Sequence, residues 1–330
     1  MTVDGDRPPG AIVPATRQPA AMTWPEVTVP TAETLAWAAR SVSPRARVRW
    51  AGPFSDRSAS WRLDLAGTEA PTVVLRAGDP TDHVAKQRIA AEVAALRAVA
   101  GVPAARLIAS DVTGGEASQL AIVSTFLEGS SDVPRTVDDE HLRTLGRAVA
   151  LLAGIDPGEE QLPPCHRSLQ AVDFSGLRAA GESTPFLDEA ERAIAAAAEP
   201  APCQVLVHGD CWQGNTMWRG ERFVGFVDWE SAGRGPVGVD LGFLRMDVAV
   251  HFGPERVDAV LAGWLDADGP PLPDLAYWDV LGALCTPTDL RPWVPTLAAR
   301  GRADLDADTV TARRDRFLAE SLARLQVVRS

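Results

Sequence analysis

The sequence predicts an α+β chain of two lobes, a β-rich first lobe followed by a mainly helical second one. Three observations carry this expectation. The 330 residues exceed the size at which a single hydrophobic core keeps growing. Strand signals concentrate between residues 47 and 126. From about Asp138 onward, apolar residues recur at helical spacing instead of alternating.

The elements follow in order. Residues 1–30 carry Pro8, Pro9, Pro14, Pro19, Pro25 and Pro30, which break any helix, so this stretch reads as a tail or strap. Thr31 caps a helix running through Trp37 and Arg40, and 47–51, 57–65 and 71–76 read as three strands. After a turn at 79–82, Val84, Ile89, Val93, Leu96 and Val99 mark a long helix that Gly101 and Pro103 end. Two further strands, 107–110 and 120–126, turn at Thr113-Gly114-Gly115 and complete a lobe spanning 31–127. In the second lobe, 128–330, Leu142, Leu145, Val149 and Leu152 and then 187–198 read as helices. One β insertion interrupts them, the apolar run 204–207 and a hairpin over 216–227 turning near Gly220.

Composition limits the function classes. A formal charge of −12 speaks against nucleic acid and anionic membrane as partners. The chain has no basic start followed by an apolar run and no membrane-length apolar segment, so it reads as cytoplasmic. The four cysteines, Cys165, Cys203, Cys211 and Cys285, form no C-x-x-C pair and are expected to be reduced. Among 32 basic residues Lys86 is the single lysine, so a site that needs a cation will almost always use arginine.

The chemistry concentrates between the apolar run and the hairpin. His208-Gly209-Asp210-Cys211-Trp212-Gln213-Gly214-Asn215 places a carboxylate and a carboxamide on one loop, and the hairpin returns Asp228 beside Asn215. Phosphoryl transfer needs hard oxygen ligands for Mg²⁺ and a carboxylate that orients the acceptor. Asp228, Asn215 and Asp210 offer that set.

With Val227-Asp228-Trp229-Glu230 following, this pattern resembles the signature of the aminoglycoside phosphotransferase and choline kinase-like family over roughly residues 33–265. The resemblance implies a protein-kinase-like two-lobed fold and a Mg²⁺-dependent enzyme. It would move the γ-phosphate of ATP or GTP onto a hydroxyl or amine of a small molecule: an antibiotic, choline or a sugar. It implies Asp210 as catalytic, Asn215 and Asp228 as metal ligands, and Asp240 as a brace for the catalytic loop. His208 reads as scaffold, and Trp212 and Glu230 as acceptor contacts. In the first lobe, Arg76 falls where a basic residue contacts phosphates and Glu92 where a helix glutamate pairs with it; Lys86 is the rival cation. Ser55 and Ser58 lie where a phosphate-covering loop belongs, although a plain hairpin turn fits that segment equally. Ser124 and Phe126 lead into the linker that would meet the base.

The acceptor's surroundings are expected within 245–264 or 277–293, with Trp264, Trp278 and Trp293 as walls. Asp247, Glu255, Asp258, Asp279 and Asp289 are available to a cationic acceptor. The competing class is a non-catalytic pseudokinase that binds nucleotide or metabolite, suggested by the single glycine of the phosphate loop and by arginine at position 76.

Overall fold

A computed structural model describes residues 28–54, 59–181, 183–198, 200, 204–272 and 274–327. Ser55 and Ser58, Cys203 and nearly all of the proline-rich segment lie outside the described residues.

Helix α1 (Ala32–Val42) starts at Thr31, whose hydroxyl accepts the Thr34 N–H at 3.1 Å. Strands β1 (Arg47–Pro53), β2 (Ser60–Ala66) and β3 (Thr72–Gly78) form an antiparallel meander. Helix α2 (His83–Ala98), capped by the Asp82 carboxylate, then leads to β4 (Leu107–Asp111) and β5 (Leu120–Thr125). The sheet order is β1-β2-β3-β5-β4. Strand alternation gives its two faces different tasks. Leu63, Val73, Leu75 and Val123 pack on one face with Trp37 of α1, while Leu120 and Ile122 point the other way, into the core that includes α2. Arg76, between Leu75 and Ala77 and opposite Ile122, therefore emerges on the α2 face.

The second half begins with α3 (Asp139–Ala153), capped by Asp138, then α4 (Phe174–Ala179) and α5 (Pro185–Ala196). Strand β6 (Gln204–Val207) precedes the hairpin of β7 (Thr216–Arg219) and β8 (Arg222–Phe226), with Gly220 at φ 58° in its turn. Strand β9 (Gly233–Pro236) then pairs antiparallel with β6. Helices α6 (Gly238–Phe252), α7 (Val257–Asp266), α8 (Leu275–Leu284), α9 (Val294–Ala299) and α10 (Ala307–Val327) complete the chain. Among the described residues no helix is long and apolar enough to cross a membrane.

Buried arginines tie the helical half together. Arg245 on α6 makes a two-pronged pair with Asp279 on α8 at 2.8 and 3.1 Å, and Arg324 on α10 reaches the same carboxylate at 3.2 Å. At and just beyond the end of α8, Arg178 donates to the Leu284 and Thr286 carbonyls and Arg314 to those of Pro287 and Thr288. A planar fork of donors suits such divergent carbonyls.

Trp264 and Trp278 do not wall a cleft. They are 1% and 3% exposed, and Trp278 fills the space against Gly238 where a Cβ would need to sit. Their large apolar surfaces are spent in the core.

Candidate active site

The loop between β6 and β7 is held from below and behind. Gly209 takes φ 77°, and a Cβ there would meet the Ser231 carbonyl oxygen at 2.1 Å, so glycine is required both for conformation and for space. Asp240, in the first turn of α6, accepts the His208 N–H at 2.7 Å and the Gly209 N–H at 3.0 Å. Burial pushes the Asp240 carboxyl up to about 6 against the pull of those two bonds. His208 is fully buried, and burial pushes its imidazole down to about 4, so the ring is neutral near pH 7. Its Nε2 then donates to the Val227 carbonyl at 3.0 Å while Nδ1 accepts the Asp210 N–H at 3.4 Å.

Asp210 and Asn215 meet across the loop. The Asn215 amide nitrogen donates to Asp210 Oδ2 and to the Asp210 carbonyl, each at 2.9 Å. Its nitrogen being committed, the amide oxygen is the group left to accept a cation. The Val227 N–H donates to the Asn215 carbonyl at 3.0 Å and so brings the residue before Asp228 alongside Asn215. Burial, and then the charge of Asp228, push the Asp210 carboxyl up to about 8.

Asp228 stands at φ 65°, a left-handed conformation that costs a non-glycine residue, and its side chain is 43% exposed. Its Oδ1 receives Arg76 Nη2 at 2.6 Å. The same guanidinium meets Glu92 through Nε at 3.0 Å and Glu230 through Nη1. Burial works against the Arg76 charge, but Glu92, Asp228 and Glu230 outweigh it and hold the guanidinium above its ordinary value. Glu92 is pushed up to about 7 by burial despite Arg76. Lys86 instead lies exposed on α2.

The other named residues fall in distinct places. Ser124 is buried within β5, and the Phe126 ring lies 6.4 Å from that of Phe54, with the Arg62 guanidinium 5.2 Å from its centre. Trp212 is partly buried and lies flat over Gly214. Trp218 and Trp229 belong to the core. Burial holds the Cys211 thiol well above its ordinary value, in its inert protonated form.

The five acidic residues considered for a cationic acceptor do not converge. Asp279 pairs with Arg245 and Arg324, Asp258 with Arg245, Glu255 with Arg316 and Asp289 with Arg291. Asp247 alone adjoins the loop, where its Oδ2 accepts the Gln213 N–H at 3.2 Å and the Gln213 side-chain amide at 2.9 Å. This contact was not anticipated, although two carboxylates seven residues apart in a mostly apolar helix were a visible signal. Arg88, one helical turn before Glu92 and 3.7 Å from Glu230, was also unforeseen. It borders a cavity of about 690 Å³ between α2 and residues 161–171, beside Glu230 and Ser231.

The donor set fits a divalent cation. Asn215 carries an amide oxygen and Asp228 a carboxylate that is 43% exposed, both hard oxygens. Among the described residues no three His, Cys, Asp or Glu side chains form a metal cage. Two protein ligands, with phosphate and water filling the remaining positions, is the pattern Mg²⁺ prefers.

Comparison with known proteins bears on the family and the fold. The model of the phosphotransferase enzyme family matches residues 53–281. The fold is similar to that of a provisionally assigned aminoglycoside phosphotransferase from Ralstonia eutropha JMP134, at 16% identity and TM-score 0.59, over 89% of this chain and 97% of that one. It is also similar to the macrolide 2'-phosphotransferase MphH of Brachybacterium faecium, at 21% identity and TM-score 0.53, over 87% and 97% of the two chains. A third likeness, at 12% identity and TM-score 0.52 over 88% and 98%, is to a thermostable mutant of aminoglycoside phosphotransferase APH(4)-Ia in ternary complex with AMP-PNP and hygromycin B. No curated protein matches the chain. At these identities the likenesses speak for the fold, a protein-kinase-like one with a five-stranded antiparallel sheet ahead of a helical half.

Proposed function

Because the chain belongs to the phosphotransferase enzyme family, we propose that it transfers the γ-phosphate of ATP or GTP to a hydroxyl of a small molecule, with residues 31–127 serving the nucleotide and 128–330 catalysis and the acceptor. The observation that carries this reading is the Asn215–Asp210 contact beside exposed Asp228. One carboxylate is oriented for an acceptor while a carboxamide oxygen and a second carboxylate remain for a cation.

In this reading Asn215 and Asp228 would hold Mg²⁺, which when bound would neutralise the phosphate charge. Asp210, its Oδ2 fixed by Asn215, orients the acceptor hydroxyl through its other oxygen and takes its proton. The acceptor oxygen forms a bond to the γ-phosphorus as the bond to the bridging oxygen breaks and the nucleoside diphosphate leaves. Arg76, held by Glu92, would contact the phosphates. His208 and Asp240 keep the loop in register. Trp212 and Glu230 border the acceptor, and Ser124 and Phe126 adjoin the base.

The similar proteins act on hydroxylated antibiotics by their names, a macrolide in one case and an aminoglycoside in another. An uncharged hydroxylated acceptor suits this chain better than a polycation, since four of the five candidate carboxylates are engaged by arginines.

The test is turnover of ATP and GTP with Mg²⁺ across macrolides, aminoglycosides, sugars and choline. Acceptor-dependent nucleoside diphosphate release is expected, and Asp210→Asn should lower kcat by about 10²–10⁴-fold. Tight nucleotide binding without transfer to any acceptor would instead support the pseudokinase reading, for which the Arg76–Asp228 pair is the specific observation.

A further inference from the structure

Helix α6 is buried over almost its whole length and mostly apolar, yet it carries two carboxylates, Asp240 and Asp247, seven residues apart. Seven residues are about two helical turns, so both project from one face. That face lies under the loop at 208–215. Asp240 holds the start of the loop through the His208 and Gly209 N–H groups. Asp247 holds its far end through the Gln213 N–H and side-chain amide, with Asp210 between the two anchors and Asn215 just beyond the second.

Asp247 is 6% exposed, and no arginine or lysine pairs with it among the ion pairs of the described residues. Burying a carboxylate without a cation is costly unless hydrogen bonds satisfy it. Its Oδ1 faces Nδ1 of the fully buried His251 at 3.1 Å, one turn further along α6. The carbonyl of His251 in turn takes Arg302 at 2.9 Å and Arg313 of α10 at 2.7 Å. The Gln213 end is equally determined, since its carbonyl accepts the Thr216 hydroxyl at 2.6 Å at the start of β7.

We propose that Asp247 is a positioning residue for phosphotransfer, acting through Gln213 to set where Asn215 meets Asp210. The inference rests on the reading of Asp210 and Asn215 as the reacting centre. It removes Asp247 from the set of acceptor contacts and gives α6 two anchors for the catalytic loop. Asp247→Ala opens the far anchor, whereas Asp247→Asn keeps an oxygen that accepts the Gln213 N–H.

Two readouts on the full-length chain decide the matter. In hydrogen exchange, peptides covering 208–216 should exchange more than about tenfold faster in Asp247→Ala, with those of α3 and α7 unchanged, and should stay near wild type in Asp247→Asn. With the acceptor found in the panel above, Asp247→Ala should lower kcat by about tenfold or more while the nucleotide KM moves by less than about threefold, and Asp247→Asn should recover most of it. Gln213→Ala, which keeps the backbone bond, gives an intermediate result and serves if Asp247→Ala does not fold. Loop exchange at the wild-type rate, or acceleration spread evenly over the helical half, overturns the proposal. So does a kcat that falls no further in Asp247→Ala than in Asp247→Asn. If no acceptor is phosphorylated by the wild type, the functional reading fails, while the exchange measurement still decides whether Asp247 anchors the loop.

Discussion

At the scale of the residue, Arg76 concentrates the electrostatics of the site. One guanidinium answers Glu92, Asp228 and Glu230 in three directions, an arrangement a lysine ammonium cannot reproduce at once. Arg76→Ala leaves Glu92 buried without a cation, while Glu230 keeps Arg88 and Asp228 faces solvent, and should destabilise the protein by about 3 kcal/mol in urea unfolding. Arg76→Lys should lose less stability and yet raise the nucleotide KM. The grouping of Asp210, Asn215 and Asp228 was legible because a short loop and a tight hairpin bring neighbours in sequence together. Arg76 and Glu92 were legible through resemblance. Asp247 and Arg88 were not, because their place depends on which face of α6 or α2 meets the loop, and that is decided by packing.

At the scale of the element, the five strands and α2 stand close to where alternation and helical spacing put them. Strand β9 was missed because Gly233-Arg234-Gly235-Pro236 has almost no strand propensity. It is a strand because its surroundings leave room for little else. A Cβ on Gly235 would meet the Cys165 carbonyl oxygen at 1.7 Å, and the Arg234 carbonyl accepts the Cys165 N–H at 2.9 Å. A similar closeness governs α3 and α7. A Cβ on Gly146 would lie 1.9 Å from the Val260 carbonyl oxygen, and one on Gly263 at the same distance from that of Arg143. Backbone cannot yield as a side-chain tip can. Gly146→Ala should therefore cost about 2 kcal/mol or more in urea unfolding, with activity per folded molecule close to wild type, since neither helix carries a residue of the site.

At the scale of the whole molecule, buried ionisable groups make stability depend on pH in a way no composition reveals. Asp210 and Glu92 have values raised to about 8 and about 7 in the fold, so each favours the folded state below its unfolded value, and that contribution is lost as pH rises through the folded one. His208 runs the other way: lowered to about 4, it costs stability as pH falls below its unfolded value of about 6.5. From about pH 7 to 8 His208 is largely neutral in both states and the two acids dominate. Metal-free protein should thus lose about 1 kcal/mol over that interval, read from urea midpoints in a chelator. Asp210→Asn should flatten the slope. The solitary lysine has a different consequence. Lys86 is exposed on the outer side of the helix whose inner side carries Glu92, and it is the chain's only side-chain amine. An amine-reactive dye would find one side-chain target, on the very helix that holds Arg76, so ordinary labelling chemistry supplies an optical gauge of that helix without mutating a cysteine.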